Sequence, residues 1–279
     1  MQSYPFGACH DPNDVWCIDF KGWFLTGDGT HVEPLTLSDR ASRYLLLCEA
    51  VGRGNEAHVW PALEAAFRAH DLPKALRSDN GPPFASRAVG GLSRLTVKLI
   101  KAGIRPERIE PGKPQQNGRH ERMHLTLKQD TASPPAHSLK DQIERFSCFQ
   151  KSYNEERPHE ALGQIPPAQV YRPSPRRYDG VLHSSVYDID CATDCAMRRA
   201  RTNGQIKWRS AKVFISEVMT GEPVGSFGVT KIFGSLRMAR VRSAPSREMA
   251  NSTNSGRDRP NHQARRPPKV RNPLPMSPG

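Results

Sequence analysis

An aspartate stands in the middle of an alternating apolar run, VWCIDFKGWFL (15–25), and this placement constrains the chain more than any other feature. Trp16, Ile18 and Phe20 alternate with Cys17, Asp19 and Lys21, the period of a β-strand. An ionised carboxylate at such a position is expensive to desolvate unless it faces water or a cation. Two further runs, HVEPLTLSD and SRYLLLCEAV, follow the turn-forming TGDG at 26–29. Residues 14–51 therefore predict three strands joined by tight turns, and Pro34 predicts an edge position or a bulge in the second.

The pattern then changes period. Asn55 can cap a helix in which Ala57, Trp60, Leu63, Ala66 and Phe67 recur at helical spacing as far as His70. KALRSDNG (74–81) predicts a short buried strand breaking into a turn, residues 86–102 a helix despite Gly90 and Gly91, and IRPERIEP (104–111) another short strand. After the turn-rich PGKPQQNG comes a helix from about Asn117 to Asp130, and Ser138 caps one more that stops before Pro158. Three strands followed by alternating helices and strands predict an α/β fold, a mixed sheet flanked by helices on both sides.

Beyond this core, assigned to residues 13–172 after an N-terminal arm (1–12), a Pro-containing stretch supplies a linker at 173–182. QIKWRSAKVFISE (205–217) and GEPVGSFGVTKIFGSL (221–236) predict a small β-rich domain at 183–236. Residues 237–279 lose apolar periodicity and carry ten Lys and Arg against Glu248 and Asp258, so a disordered basic tail is expected there. The whole chain has a formal charge of +13, which favours a polyanionic partner because neutralising phosphates releases counterions. No run of 18 apolar residues and no signal-peptide pattern occurs, so a location in the cytoplasm and no membrane partner are expected. The six cysteines are scattered, as suits reduced thiols, and Cys191 and Cys195 lack a second pair at zinc-finger spacing.

Three carboxylates stand out. Taken singly, Asp19 reads as a residue on the wetter face of its strand, Asp79 in SDNG as turn chemistry, and Glu121 in NGRHERMHLTLK as an exposed helix residue. Together, two aspartates at strand centres or ends and a glutamate on a helix can converge on divalent cations at a sheet edge. Mg²⁺ and Mn²⁺ prefer hard oxygen ligands of this kind, and a pair of ions about 3.5–4 Å apart assists in-line displacement at phosphorus.

The surrounding residues resemble those of one family. DVWCIDFKG, LTLSDRASRYLL, LPKALRSDNGPPF, IEPGKPQQNGRHERMHLTLK and YNEERPHEALGQIPPAQVY are similar, in order, to the successive blocks of bacterial insertion-sequence transposases with a retroviral-integrase-type core. The resemblance covers roughly residues 11–172 and continues more weakly through the β-rich segment. It implies a ribonuclease-H-like fold and a DDE site in which Asp19, Asp79 and Glu121 are both catalytic and metal-binding. It also implies Mg²⁺ or Mn²⁺, two ions with DNA bound, and a homo-oligomer assembled on element ends and target DNA in the bacterial nucleoid.

Asn117, Glu121, His124 and Lys128 fall at helical spacing on one face, so Asn117, His124 and Lys128, with Lys113 and Arg119 nearby, are candidate DNA contacts. Transposases of this type usually carry a helix-turn-helix region before the core, and only 18 residues precede Asp19 here, so a truncated copy is expected. The competing readings are a catalytically silent remnant that binds DNA nonspecifically and a nuclease acting on RNA–DNA hybrids.

Overall fold

A computed structural model describes residues 6–7, 9–51, 55–86, 92–110, 118–183, 195–208 and 210–227. Its centre is a mixed sheet. Strands β1 (Val15–Phe20), β2 (Phe24–Leu25), β3 (His31–Asp39) and β4 (Leu45–Val51) come first, then helix α1 (Glu56–His70) and β5 (Ala75–Ser78). Helix α2 (Arg94–Lys101), β6 (Arg105–Arg108), α3 (Gly118–Thr131) and α4 (Leu139–Glu155) complete the core. The strand order is β2-β3-β1-β5-β6, with β4 also on β3. β3 runs antiparallel to β1 and β4, whereas β5 runs parallel to β1 and β6 parallel to β5. This is the ribonuclease-H-like arrangement expected of the sequence.

Strand alternation sends side chains to two faces. Trp16, Ile18, Leu35, Leu37 and Leu76 bury one face against Leu63 and Phe67 of α1 and Leu95 and Leu99 of α2. On the other face Val32, Leu45 and Cys48 pack on Met123 and Leu127 of α3 and on Phe146, Phe149 and Tyr153 of α4. Both α1 and α4 start where expected, with the Asn55 side chain accepting from His58 N and that of Ser138 from Asp141 N. Helix α2 is shorter than predicted, beginning after the Ser93 cap, and residues 87–91 lie outside the described set.

The expectation for Pro34 needs correction. β3 is an interior strand, and its bulge lies at Leu37/Ser38. Pro34 is tolerated because the β1 ladder ends at Phe20↔Leu35; one step on, Lys21 N donates to Pro34 O at 2.9 Å and only the return bond is missing.

The YNEERPHEAL segment does structural work. Asn154 accepts from Leu45 N at 2.7 Å and donates to Leu45 O at 2.9 Å, so its amide stands in for a neighbouring strand at the start of β4. Asn154→Ala leaves a buried N–H without a partner and is expected to cost about 1–3 kcal/mol, read by chemical denaturation.

The stretch read as a linker (173–182), and Tyr171 just before it, lie against the core. Tyr171 stacks on Tyr44 at 4.3 Å, Ser174 N donates to His70 O, Leu72 N donates to Arg176 O, and the Arg176 guanidinium donates to Pro73 O and Gly103 O. Four strands follow: β7 (Cys195–Arg199), β8 (Gln205–Trp208), β9 (Ala211–Phe214) and β10 (Pro223–Phe227), paired antiparallel as β7 with β10 and β8 with β9. Ala200, Ile206, Ile215, Met219 and Val224 share a buried cluster with Leu92 and with Val97 of α2, and Lys101 pairs with Glu222 at 2.7 Å. The basic tail at 237–279 lies outside the described residues, as does Cys191.

Candidate active site

The register of two parallel strands does most of the construction. Val15, Trp16 and Cys17 of β1 stand opposite Ala75, Leu76 and Arg77 of β5. Continued two steps beyond the ladder, which ends at Cys17↔Arg77, the same register would bring Asp19 opposite Asp79, one residue past the end of β5. Both lie on the sheet face of Cys17 and Arg77, because alternate residues share a face. Both carboxylates are partly buried.

Each is held locally. Asp19 Oδ1 accepts from Phe20 N at 2.9 Å, and Asp79 Oδ1 accepts from Gly81 N at 3.1 Å. Asn80 donates through Nδ2 to Ile109 O at 2.8 Å, so it shapes the strand exit, as its place in SDNG predicts. Gly81 is there for space. A Cβ on it would lie 3.0 Å from Asp79 Oδ2 and 3.5 Å from Oδ1. Gly81→Ala is therefore expected to push the Asp79 carboxylate aside, lowering Mn²⁺ affinity by about tenfold with an unchanged melting temperature.

Helix α3 is pinned across the same rung. His124 Nε2 and Thr36 Oγ1 are 2.7 Å apart, and the threonine hydroxyl also lies 3.2 Å from the carbonyl oxygen of Asp19, its register partner on β1. Glu121 precedes His124 by three residues, about 4.5 Å along the axis, and is exposed in the first turn of the helix. The DNA-contact reading of His124 is corrected here. The ring is only 5% exposed, turned inward by its bond to Thr36, and so does not share an outer face with the exposed Lys128. Arg119 falls in the first turn of α3, while Lys113 and Asn117 lie outside the described residues.

Among the described residues no three His, Cys, Asp or Glu side chains form a group able to hold a metal ion. Asp19 lies in β1, Asp79 one residue past β5 on the neighbouring strand, and Glu121 in the first turn of α3. The donor set still fits Mg²⁺ or Mn²⁺: carboxylate oxygens only, at a strand exit kept open by a glycine. Burial pushes the Cys17 thiol up to about 11, so this side chain on the same face stays neutral.

Integrase core domain profiles match residues 10–114 and 102–167, more than half of the chain between them. Residues 10–167 are an integrase core domain. Two curated relatives are insertion-element proteins, each matched over 57% of this chain. An insertion element IS476 protein of 39.2 kDa from Xanthomonas euvesicatoria is 32% identical over 57% of this chain and 44% of its own length. An insertion element IS407 protein of 31.7 kDa from Burkholderia multivorans is 31% identical over 57% and 55%. The chain spans about half the length of these relatives.

Among solved structures, a simian T-cell lymphotropic virus intasome in complex with a PP2A regulatory subunit matches with a TM-score of 0.50 at 16% identity. That match covers 81% of this chain and 72% of the other, and it shows the fold. The HTLV-2 integrase catalytic core domain in complex with magnesium matches with a TM-score of 0.45 at 15% identity, over 59% of this chain and all of that one.

Sequence reading missed the rung beneath the aspartates. Arg77 of β5 stands opposite Glu107 of β6 and donates to its Oε2 from Nε at 3.1 Å and from Nη2 at 2.7 Å. The two are 2% and 7% exposed. The only signal in the sequence is one basic and one acidic residue in two short strands, and nothing there fixes their register.

Proposed function

We propose that the integrase core is the catalytic part of a DDE transposase, cutting element ends and joining them to target DNA by metal-dependent phosphoryl transfer. The observation that carries this reading is that Asp19 lies in β1 and Asp79 follows directly on β5, the strand paired parallel to it. Glu121, on the helix pinned to the same rung through His124 and Thr36, is the third carboxylate. Insertion-element relatives and the basic charge of the chain support a DNA substrate.

In this role Asp19 and Asp79 would hold the metal ions beside the reacting phosphate, and Glu121, in the first turn of α3, would be the third carboxylate to hold them. Mg²⁺ or Mn²⁺, two ions with DNA bound, would supply activation of the attacking oxygen and stabilisation of the leaving one. The buried His124 supports Asp19 through Thr36 rather than touching DNA, and exposed Lys128, four residues further along the helix, is the lysine offered to the backbone. Lys113, Asn117 and Arg119, around the start of the helix, are further candidate contacts. The working form is a homo-oligomer assembled on DNA in the bacterial nucleoid. No helix among the described residues is long and apolar enough to cross a membrane.

The test is incubation of the full chain with duplex carrying the ends of a related element. Nicked and joined products that depend on Mg²⁺ or Mn²⁺ are expected. Products that persist in chelator and in Asp79→Asn alike would overturn the reading, and salt-sensitive DNA binding without turnover would point to a silent remnant.

A further inference from the structure

We propose that the Arg77–Glu107 pair, roofed by Phe6 and Gly7, is a positioning unit that sets Asp79 in the metal site and keeps a cation away from it. The proposal rests on the reading of Asp79 as a metal-binding carboxylate. Its starting point is the register. Arg77 and Asp79 are two residues apart on one sheet face, about 6.6 Å along the strand, so a loose guanidinium at 77 could fold onto the Asp79 carboxylate. There it would take up the oxygens that a divalent ion needs.

Glu107 prevents this. Both Nε and Nη2 of Arg77 converge on its Oε2, while its Oε1 accepts from Gly7 N at 2.9 Å and from Arg105 Nη2 at 2.7 Å. Three chain segments therefore meet on one carboxylate: β5, β6 and the N-terminal arm. The Arg77 guanidinium carbon also lies 3.8 Å from the centre of the Phe6 ring, so the aromatic face covers the pair from the arm side. A Cβ on Gly7 would fall 1.9 Å from Arg105 Nη2 and 3.1 Å from Glu107 Oε1, so a side chain there would displace the end of Arg105 from the carboxylate.

The rung above is held as well. Ile109 N donates to Ser78 O at 3.2 Å, and Asn80 donates to Ile109 O, so the pairing of β5 with β6 continues past the strand ends. Asp79 is bracketed by Arg77–Glu107 below and by Asn80–Ile109 above. A stability role alone does not explain the pair, because a buried ion pair is commonly matched or exceeded in stability by apolar residues of similar volume. What an apolar pair lacks is the two directed bonds to Glu107 Oε2 that fix β5 against β6 just before Asp79. Arg77 and Glu107 are positioning residues, acting through the backbone of β5 and through the charge they withhold.

The test uses the full chain and Mn²⁺ as the probe, with free ion measured by paramagnetic resonance and DNA nicking measured in parallel. The double variant Arg77→Met/Glu107→Leu is expected to melt close to the parent. Its half-saturating Mn²⁺ concentration should nevertheless rise by about tenfold, the scale found when groups that orient metal ligands are removed. Phe6→Ala, which strips the roof but keeps the pair, should shift the midpoint in the same direction by less. If the double variant fails to fold, Phe6→Ala and Gly7→Ala decide.

Folded variants whose Mn²⁺ midpoints stay within twofold of the parent would overturn the positioning role. Asp79→Asn is the control for the underlying reading: should it leave Mn²⁺ binding and nicking intact, the site assignment itself fails. A null result in the roof and pair variants alone sinks only the positioning unit.

Discussion

Asp79→Asn is expected to lower metal-dependent nicking and strand transfer roughly 10³-fold or more, the scale of removing one member of a catalytic unit. The substitution keeps the shape of the side chain and its acceptor for Gly81 N, which now bonds Oδ1 at 3.1 Å. The fold should therefore survive, and circular dichroism and melting should match the parent. What disappears is one negative charge and one anionic oxygen at the strand exit, beside Asp19 on the next strand. Asp19→Asn should behave alike, because the two aspartates belong to neighbouring parallel strands. Making both changes should cost little more than either alone, as befits groups that act together. Retention of full activity in either single variant would refute the assignment.

The second large effect is on stability. Glu107→Gln removes the negative charge that faces the buried Arg77 guanidinium and leaves the latter with no charged partner in a nearly sealed site. Breaking a buried pair by neutralising one member typically costs about 3–5 kcal/mol. For a chain of this size that is a fall in melting temperature on the order of 10 °C. The pH dependence carries a definite sign. Burial by itself raises the Glu107 carboxyl, but bonds from Gly7 N, Arg77 and Arg105 outweigh it and hold the group below its ordinary value.

A carboxylate depressed in the folded state contributes stability that is complete above the unfolded glutamate value of about 4.3 and is lost as pH falls through the folded one. Melting of the parent should therefore decline on acidification below about pH 4.3, and this part of the decline should be missing from Glu107→Gln. Parallel curves for parent and variant across that window would show that Glu107 is not linked to folding.

Much of the architecture was legible in the sequence because it rests on local periodicity. The alternation around Asp19, the caps at Asn55 and Ser138, and the SDNG turn are statements about neighbouring residues, and each is found where the pattern puts it. The readings that failed concern surroundings. Pro34 was expected at an edge or bulge, yet its strand is interior and the missing N–H falls where the β1 ladder ends. His124 lies at the right helical interval from Glu121 and Lys128, yet Thr36 on another strand draws it inward. The stretch at 173–182 has the composition of a linker, and composition does not reveal the bonds that Ser174 N and the Arg176 side chain make near the ends of α1 and α2.

By itself, the sequence determined which residues carry charge and what local conformation each segment prefers, since both follow from side-chain chemistry and spacing. It therefore named Asp19, Asp79 and Glu121 as candidates. Only the tertiary structure decided which strands are neighbours and in what register, because strand pairing joins segments about sixty residues apart in the chain and a shift of one residue turns every side chain to the opposite face. That register sets Asp19 beside Asp79, and it places beneath them an Arg77–Glu107 pair that no local pattern announces.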